Sequence, residues 1–143
     1  MAEPTAQAST KMEERLKTHG LRVTRQRLQI ALRVLAKHDH FTADEIIAWS
    51  VKSKLRLSRA TVYNTLNEFF AVGLLKSFRL ASPSGEKIVF DSNTGSHFHF
   101  LDTANNQIFD LPPGSVTVKT KNLGDYHIEE TEVIFRGRKK SNL

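Results

Sequence analysis

The apolar residues change their spacing at Gly73. Before it they recur every three or four positions, the period of a helix with one buried face. Leu28, Ala31, Leu32 and Leu35 form one stripe, Ile46, Ile47 and Trp49 a second, and Val62, Leu66, Phe69 and Phe70 a third. A hydroxyl residue suited to capping a helix stands before each of them: Thr24, Thr42 and Ser58. Glu45, three residues after Thr42, completes a capping box. These signals predict helices from Thr24 to about Lys37, from Thr42, and from Ser58 to Gly73. Lys11 to Thr18 adds a short helix stopped by Gly20, and residues 1–10 read as a frayed tail.

Beyond Gly73 the pattern is that of strands. Leu74–Leu80 and Lys87–Asp91 flank a Ser-Pro-Ser-Gly turn. Three helices followed by a hairpin make a winged helix-turn-helix module. Ser92–Gly95 reads as a linker. His97–Asp102 and Gln107–Leu111 read as paired strands about Asn105-Asn106, and Tyr126–Arg136 as a further strand. Ser115–Gly124 is undecided, because its β-branched residues disfavour a helix. The basic end, Arg136–Leu143, reads as mobile.

Composition narrows the chemistry. There is no cysteine, which excludes disulfides, thiol catalysis and a Cys-ligated zinc site. The longest apolar run, Phe69–Leu75, is far short of the about 20 residues of a membrane span. The first residues lack the apolar core of a signal peptide, so a cytoplasmic protein without membrane contact is expected. The net charge of +6 is uneven. Residues 1–92 hold 15 basic and 9 acidic side chains, whereas residues 93–143 hold 6 of each. A basic first part points to a polyanion partner.

On the helix after Ser58, the face opposite the apolar stripe presents Arg59, Tyr63, Asn64 and Asn67. Arginine suits guanine, asparagine suits adenine, and tyrosine suits a thymine methyl or a phosphate. Arg22, Arg25, Arg27, Lys52, Lys54 and Arg56 lie nearby as phosphate ligands. Of six histidines, His19, His38 and His127 stand alone. His97 and His99 are two apart on a strand and point to one face. Asp110 lies on the pairing strand, Asp91 before the linker and His40 before a capped helix. Three imidazoles and two carboxylates suit Fe(II), Mn(II) or Zn(II) in a five- or six-coordinate site.

The segments LRVTRQRLQIALRVL, HFTADEIIAWS, SRATVYNTLNEFFAVGLL and KIVFD resemble the ferric uptake regulator family of bacterial transcription factors. The likeness covers roughly residues 16–111 and, more weakly, 126–140. It implies an α+β chain: a winged helix-turn-helix DNA-binding domain in residues 1–91, with 1–10 a flexible tail, then a small α/β metal-binding dimerisation domain in residues 92–143. It implies a homodimer on a palindromic double-stranded DNA operator, with one divalent transition metal per subunit controlling affinity. His40, Asp91, His97, His99 and Asp110 match the family's regulatory ligands. Tyr63 and Asn64 match its recognition helix, and Arg22 its minor-groove contact. The cysteine pairs of the structural zinc are missing, and Ser96 and Phe98 replace the ligands of a second site. Aspartate at both carboxylate positions is PerR-like, the peroxide-responsive branch, in which bound Fe(II) reacts with peroxide. The missing cysteines and the SHFHF segment are Irr-like, the iron response branch that senses haem, although Phe98 replaces a histidine there and argues against haem. A non-haem iron enzyme and a sequence-indifferent nucleic-acid-binding protein are the alternatives from other classes.

Overall fold

The computed structural model describes residues 3–95 and 97–142. Ser96, one of the two residues expected to leave a second metal site unfilled, lies outside them, as do Met1 and Ala2 of the expected tail and Leu143 of the expected mobile end. The chain divides into two compact units, Met1–Thr94 and Gly95–Leu143. The first thus runs three residues past the boundary read from the sequence.

The first unit contains helices α1 (Ala6–Thr18), α2 (Arg25–Val34), α3 (Ala43–Lys52) and α4 (Arg59–Ala71), with strands β1 (His40–Phe41), β2 (Lys76–Ser82) and β3 (Gly85–Asp91). The strands form one antiparallel sheet in the order β1-β3-β2. Caps fix the helix starts. Thr24 accepts from the Arg27 amide at 3.1 Å, Thr42 from Glu45 at 3.2 Å and Ser58 from Thr61 at 3.0 Å. Residues 6–10 are not a frayed tail. The Thr5 hydroxyl accepts from the Ala8 amide at 3.1 Å, and buried Met12 and Leu16 hold that helix to the core. The two-residue turn Pro83-Ser84 closes the wing hairpin.

Helix ends repeat one device. After α4, Gly73 takes φ +81°, its amide donates to the Phe70 carbonyl at 3.1 Å, and the Leu74 amide donates to Phe69 at 2.9 Å. This is a Schellman closure, which needs a left-handed residue at that position. After α3 the same pair of bonds runs from Lys54 to Val51 at 3.1 Å and from Leu55 to Ser50 at 3.0 Å. There the left-handed residue is Lys54, at φ 57°, and Arg56 follows at φ 52°. A side chain in that conformation costs about 1–2 kcal/mol.

Two apolar stripes differ from expectation. On α2 the fully buried residues are Ile30, Ala31 and Val34, while Leu28 and Leu32 are half-buried. The helix packs on both α1 and α4, so its buried face is wider than the periodicity indicated. On α4, Val62, Thr65, Leu66 and Phe69 are buried, but Phe70 is 50% exposed. It falls beside Tyr63 and Asn67 in helical spacing rather than beside Phe69.

The second unit is a three-stranded sheet in the order β5-β4-β6, from β4 (His99–Asp102), β5 (Gln107–Asp110) and β6 (Ile134–Gly137). β4 and β5 form a hairpin whose turn carries Asn106 at φ 58°. Asp102 closes it: its side chain accepts from the Ala104 amide at 2.9 Å and its carbonyl from Asn106 at 2.8 Å. β4 and β6 are parallel, which requires a crossover. Residues 111–133 supply it without regular structure. The strand expected from Tyr126 therefore starts only at Ile134, because residues 126–132 are exposed and pair with no neighbouring strand. Among the described residues of this unit there is no α-helix, only a 3-10 turn at Lys140–Asn142, so its α/β character reduces to a β-sheet.

Replacing Phe69 by alanine is expected to destabilise the protein by about 3–5 kcal/mol. Phe70→Ala should stay within about 0.5 kcal/mol of the parent. Urea denaturation followed by far-UV circular dichroism measures both, and equal losses would contradict the assigned faces.

Candidate metal centre and nucleic-acid surface

In the first unit, His40 and Asp91 are cross-strand partners at the end of the sheet. His40 Nε2 lies 3.1 Å from Asp91 Oδ2, and Asp91 is 1% exposed. The other carboxylate oxygen of Asp91 accepts from the Asn93 amide at 2.8 Å, which holds the group in place. A two-residue strand such as β1 has little pairing of its own. Ser92 supplies the rest: its hydroxyl donates to the Lys37 carbonyl at 2.9 Å and accepts from the Asp39 amide at 2.8 Å, while its amide donates to the Asp39 carbonyl at 3.1 Å. Asp39 accepts from the His40 amide at 2.9 Å and pairs with Arg33 at 3.5 Å. Arg33 in turn lies 5.9 Å from the Trp49 ring. The segment before His40 is thus anchored to α2 and to the end of β3.

In the second unit, His99 and Asp110 are cross-strand partners. His99 Nε2 is 3.5 Å and His97 Nε2 3.4 Å from the same oxygen, Asp110 Oδ1. The two rings meet edge-on with centroids 4.5 Å apart. His97 Nδ1 lies 2.7 Å from the Gly95 carbonyl. A carbonyl only accepts, so Nδ1 is the donor of that bond and Nε2 is the nitrogen turned towards Asp110, the orientation typical of a metal-binding histidine. Donor atoms of His97, His99 and Asp110 lie within 4.8 Å of one another. Nitrogen and oxygen donors of this kind form a divalent-metal site without cysteine, suited to Fe(II), Mn(II) or Zn(II). The isolated histidines serve otherwise: His19 closes α1 with its ring 2.8 Å from the Arg15 carbonyl, and His38 and His127 are exposed.

On α4, Arg59, Tyr63, Asn64 and Asn67 are all exposed, as is Arg22 in the loop before α2. Arg59 pairs with Asp44 at 2.9 Å and donates to the Tyr63 hydroxyl at 3.3 Å. Lys52, at the end of α3, and Lys54 and Arg56, in the turn that leads into α4, are exposed. Arg27 is not a free phosphate ligand as expected. Its guanidinium bonds the Glu68 carboxylate and the Arg22 carbonyl, tying α2 to α4. Sequence reasoning passed over Asp39, Asp44 and Ser92. In the sequence Ser92 reads as part of a linker.

Residues 18–135 match the family model described as the ferric uptake regulator family. The chain is 34% identical over 96 residues to the peroxide-responsive repressors PerR of Staphylococcus aureus strain Mu50 and of Staphylococcus epidermidis. That stretch is 67% of this chain and 63% and 62% of those proteins, so the chain matches less than two thirds of their length. The fold is similar to a crystal structure of the Vibrio cholerae ferric uptake regulator, with TM-score 0.63 and 21% identity over 88% of this chain and 98% of that one.

His99→Ala and Asp110→Ala are each expected to abolish tight Mn(II) binding in isothermal titration calorimetry, whereas His127→Ala leaves it intact.

Proposed function

The chain belongs to the ferric uptake regulator family, whose members are transcriptional regulators rather than enzymes, and we propose that it is a metal-dependent repressor that senses peroxide. The observation that carries this reading is the convergence of His97, His99 and Asp110 on two neighbouring strands. The 34% identity to peroxide-responsive repressors favours peroxide as the signal. Sensing of iron status is the second reading, favoured by the absence of cysteine. Haem is disfavoured, because Phe98 offers no ligand in the SHFHF segment.

In this reading one divalent metal per subunit takes all five donors. His40 and Asp91 belong to the first unit and the other three to the second. A metal bound by both sets selects one arrangement of the two units and thereby one spacing of the two α4 helices in a homodimer. Arg22, Arg59, Tyr63, Asn64 and Asn67 contact a palindromic operator, with the first turn of α4 at the major groove. His40, Asp91, His97, His99 and Asp110 would hold the ion, and Fe(II) there would supply a one-electron reductant for peroxide, with the His97 and His99 imidazoles among the oxidisable side chains beside it. Linkage demands that operator DNA tighten metal binding by the same factor by which metal tightens DNA binding.

The test is fluorescence anisotropy on an operator selected from a randomised duplex library with the Mn(II)-loaded protein. Mn(II) or Fe(II) should tighten binding roughly 5- to 150-fold over metal-free protein. A peroxide pulse should reverse this with Fe(II) and not with Mn(II). Reversal with neither metal points to iron status instead, and no response to metal removes the regulatory role of the five donors. Tyr63→Ala should lower operator affinity while the dimer persists in analytical ultracentrifugation. The operator should outbind random duplex by about 10³-fold or more, and equal binding would leave a sequence-indifferent nucleic-acid protein.

A further inference from the structure

Arg59 is the first residue of α4, directly after the Ser58 cap. A helix N-terminus carries a partial positive charge, so a cation there is poorly placed for stability. Asp44 lies in the first turn of α3, where an anion is well placed. The two side chains meet between these helix starts. Arg59 Nη2 is 2.9 Å from Asp44 Oδ1 and 3.3 Å from the Tyr63 hydroxyl, and the guanidinium carbon lies 5.2 Å from the Tyr63 ring centroid. The pair is open to solvent, with side chains 65% and 71% exposed. An ion pair so exposed adds little to stability. Its consequence lies in direction. Nη2 donates to the phenol and faces the carboxylate at ion-pair distance, and the guanidinium carbon sits near the aromatic ring. Nη1 and Nε bond no acceptor among the described residues and are left to a base edge or a phosphate.

We propose that Asp44 is a specificity-determining positioning residue: it clamps Arg59 against Tyr63 so that the guanidinium meets the groove in one orientation and prefers one base. This rests on the reading of α4 as the DNA-contacting helix. Two effects follow from one carboxylate. It orders a long side chain before binding, which lowers the cost of the specific contact. It also places a negative charge beside the DNA backbone, which weakens attachment to every sequence alike. Only the first raises the ratio of specific to random binding; the second lowers both affinities together and leaves the ratio unchanged.

The experiment is selection from a randomised duplex library with full-length Mn(II)-loaded protein, read as base frequency at each position. Arg59→Ala should flatten the preference at a small set of positions. Asp44→Ala should flatten the same positions and no others, and should lower the ratio of operator to random-duplex affinity by about tenfold, the size of one base contact. In an Arg59→Ala background, Asp44→Ala should produce no further flattening. The proposal is overturned if the Asp44→Ala profile superimposes on the parent's, if operator and random duplex tighten by one common factor, or if Arg59→Ala leaves the profile unchanged. A parent protein that enriches no sequence at all would instead remove the DNA reading on which the proposal stands.

Discussion

Burial of Val62, Leu66 and Phe69 in the core of the first unit decides what α4 can offer to solvent. A helix has one angular period, so fixing those residues inward turns Arg59, Tyr63, Asn64 and Asn67 outward. The surrounding structure maintains that rotation. Ser58 sets where the helix begins, the closure at Gly73 sets where it ends, and the bond from Arg27 to Glu68 braces it against α2. The hairpin then follows Gly73 without slack, since Leu74 and Leu75 are buried at once. The polar face of the first unit is thus a by-product of its apolar packing.

The candidate metal donors obey a different rule, that of strand register. His40 opposes Asp91 and His99 opposes Asp110, so each sheet sets one imidazole beside one carboxylate. His97 joins through its bond to the Gly95 carbonyl rather than through the ladder. With no thiolate available, the donor set is hard to borderline in character, and its support comes from hydrogen bonds within each unit. Ser92 and Asp39 are the clearest case, because they hold a strand of two residues in a position that its own pairing would not secure.

Local chemistry made much of this readable in the sequence. The capping residues Thr24, Thr42 and Ser58, the stop at Gly73, the wing hairpin and the pair His97 and His99 each carry their signal within a few residues. What escaped depends on neighbours distant in sequence. The wide buried face of α2 reflects two packing partners, whereas a periodicity read along one helix assumes a single core side. Phe70 is apolar by composition but lies at an angle the core does not reach. Asp44 acquires a role only through Arg59, fifteen residues on, and Ser92 only through Lys37 and Asp39. In the crossover of residues 111–133, Ser115–Gly124 gave no decisive signal, and the strand read from Tyr126 began too early because residues 126–132 find no neighbouring strand.

The second unit has strands of only four residues, and Leu101 is the one apolar side chain fully buried among its described residues. Phe135, Tyr126, Ile128, Val118 and Leu123 are all substantially exposed. Three short strands with so small a core lie at the margin of what can hold its shape in water. Burial of those side chains against a second copy would supply the missing apolar contact, and the free energy of folding would then include a term in protein concentration. For a unit completed in that way, dilution would act as a denaturant. The amount of protein would then set how much of that unit is folded, before any metal is bound.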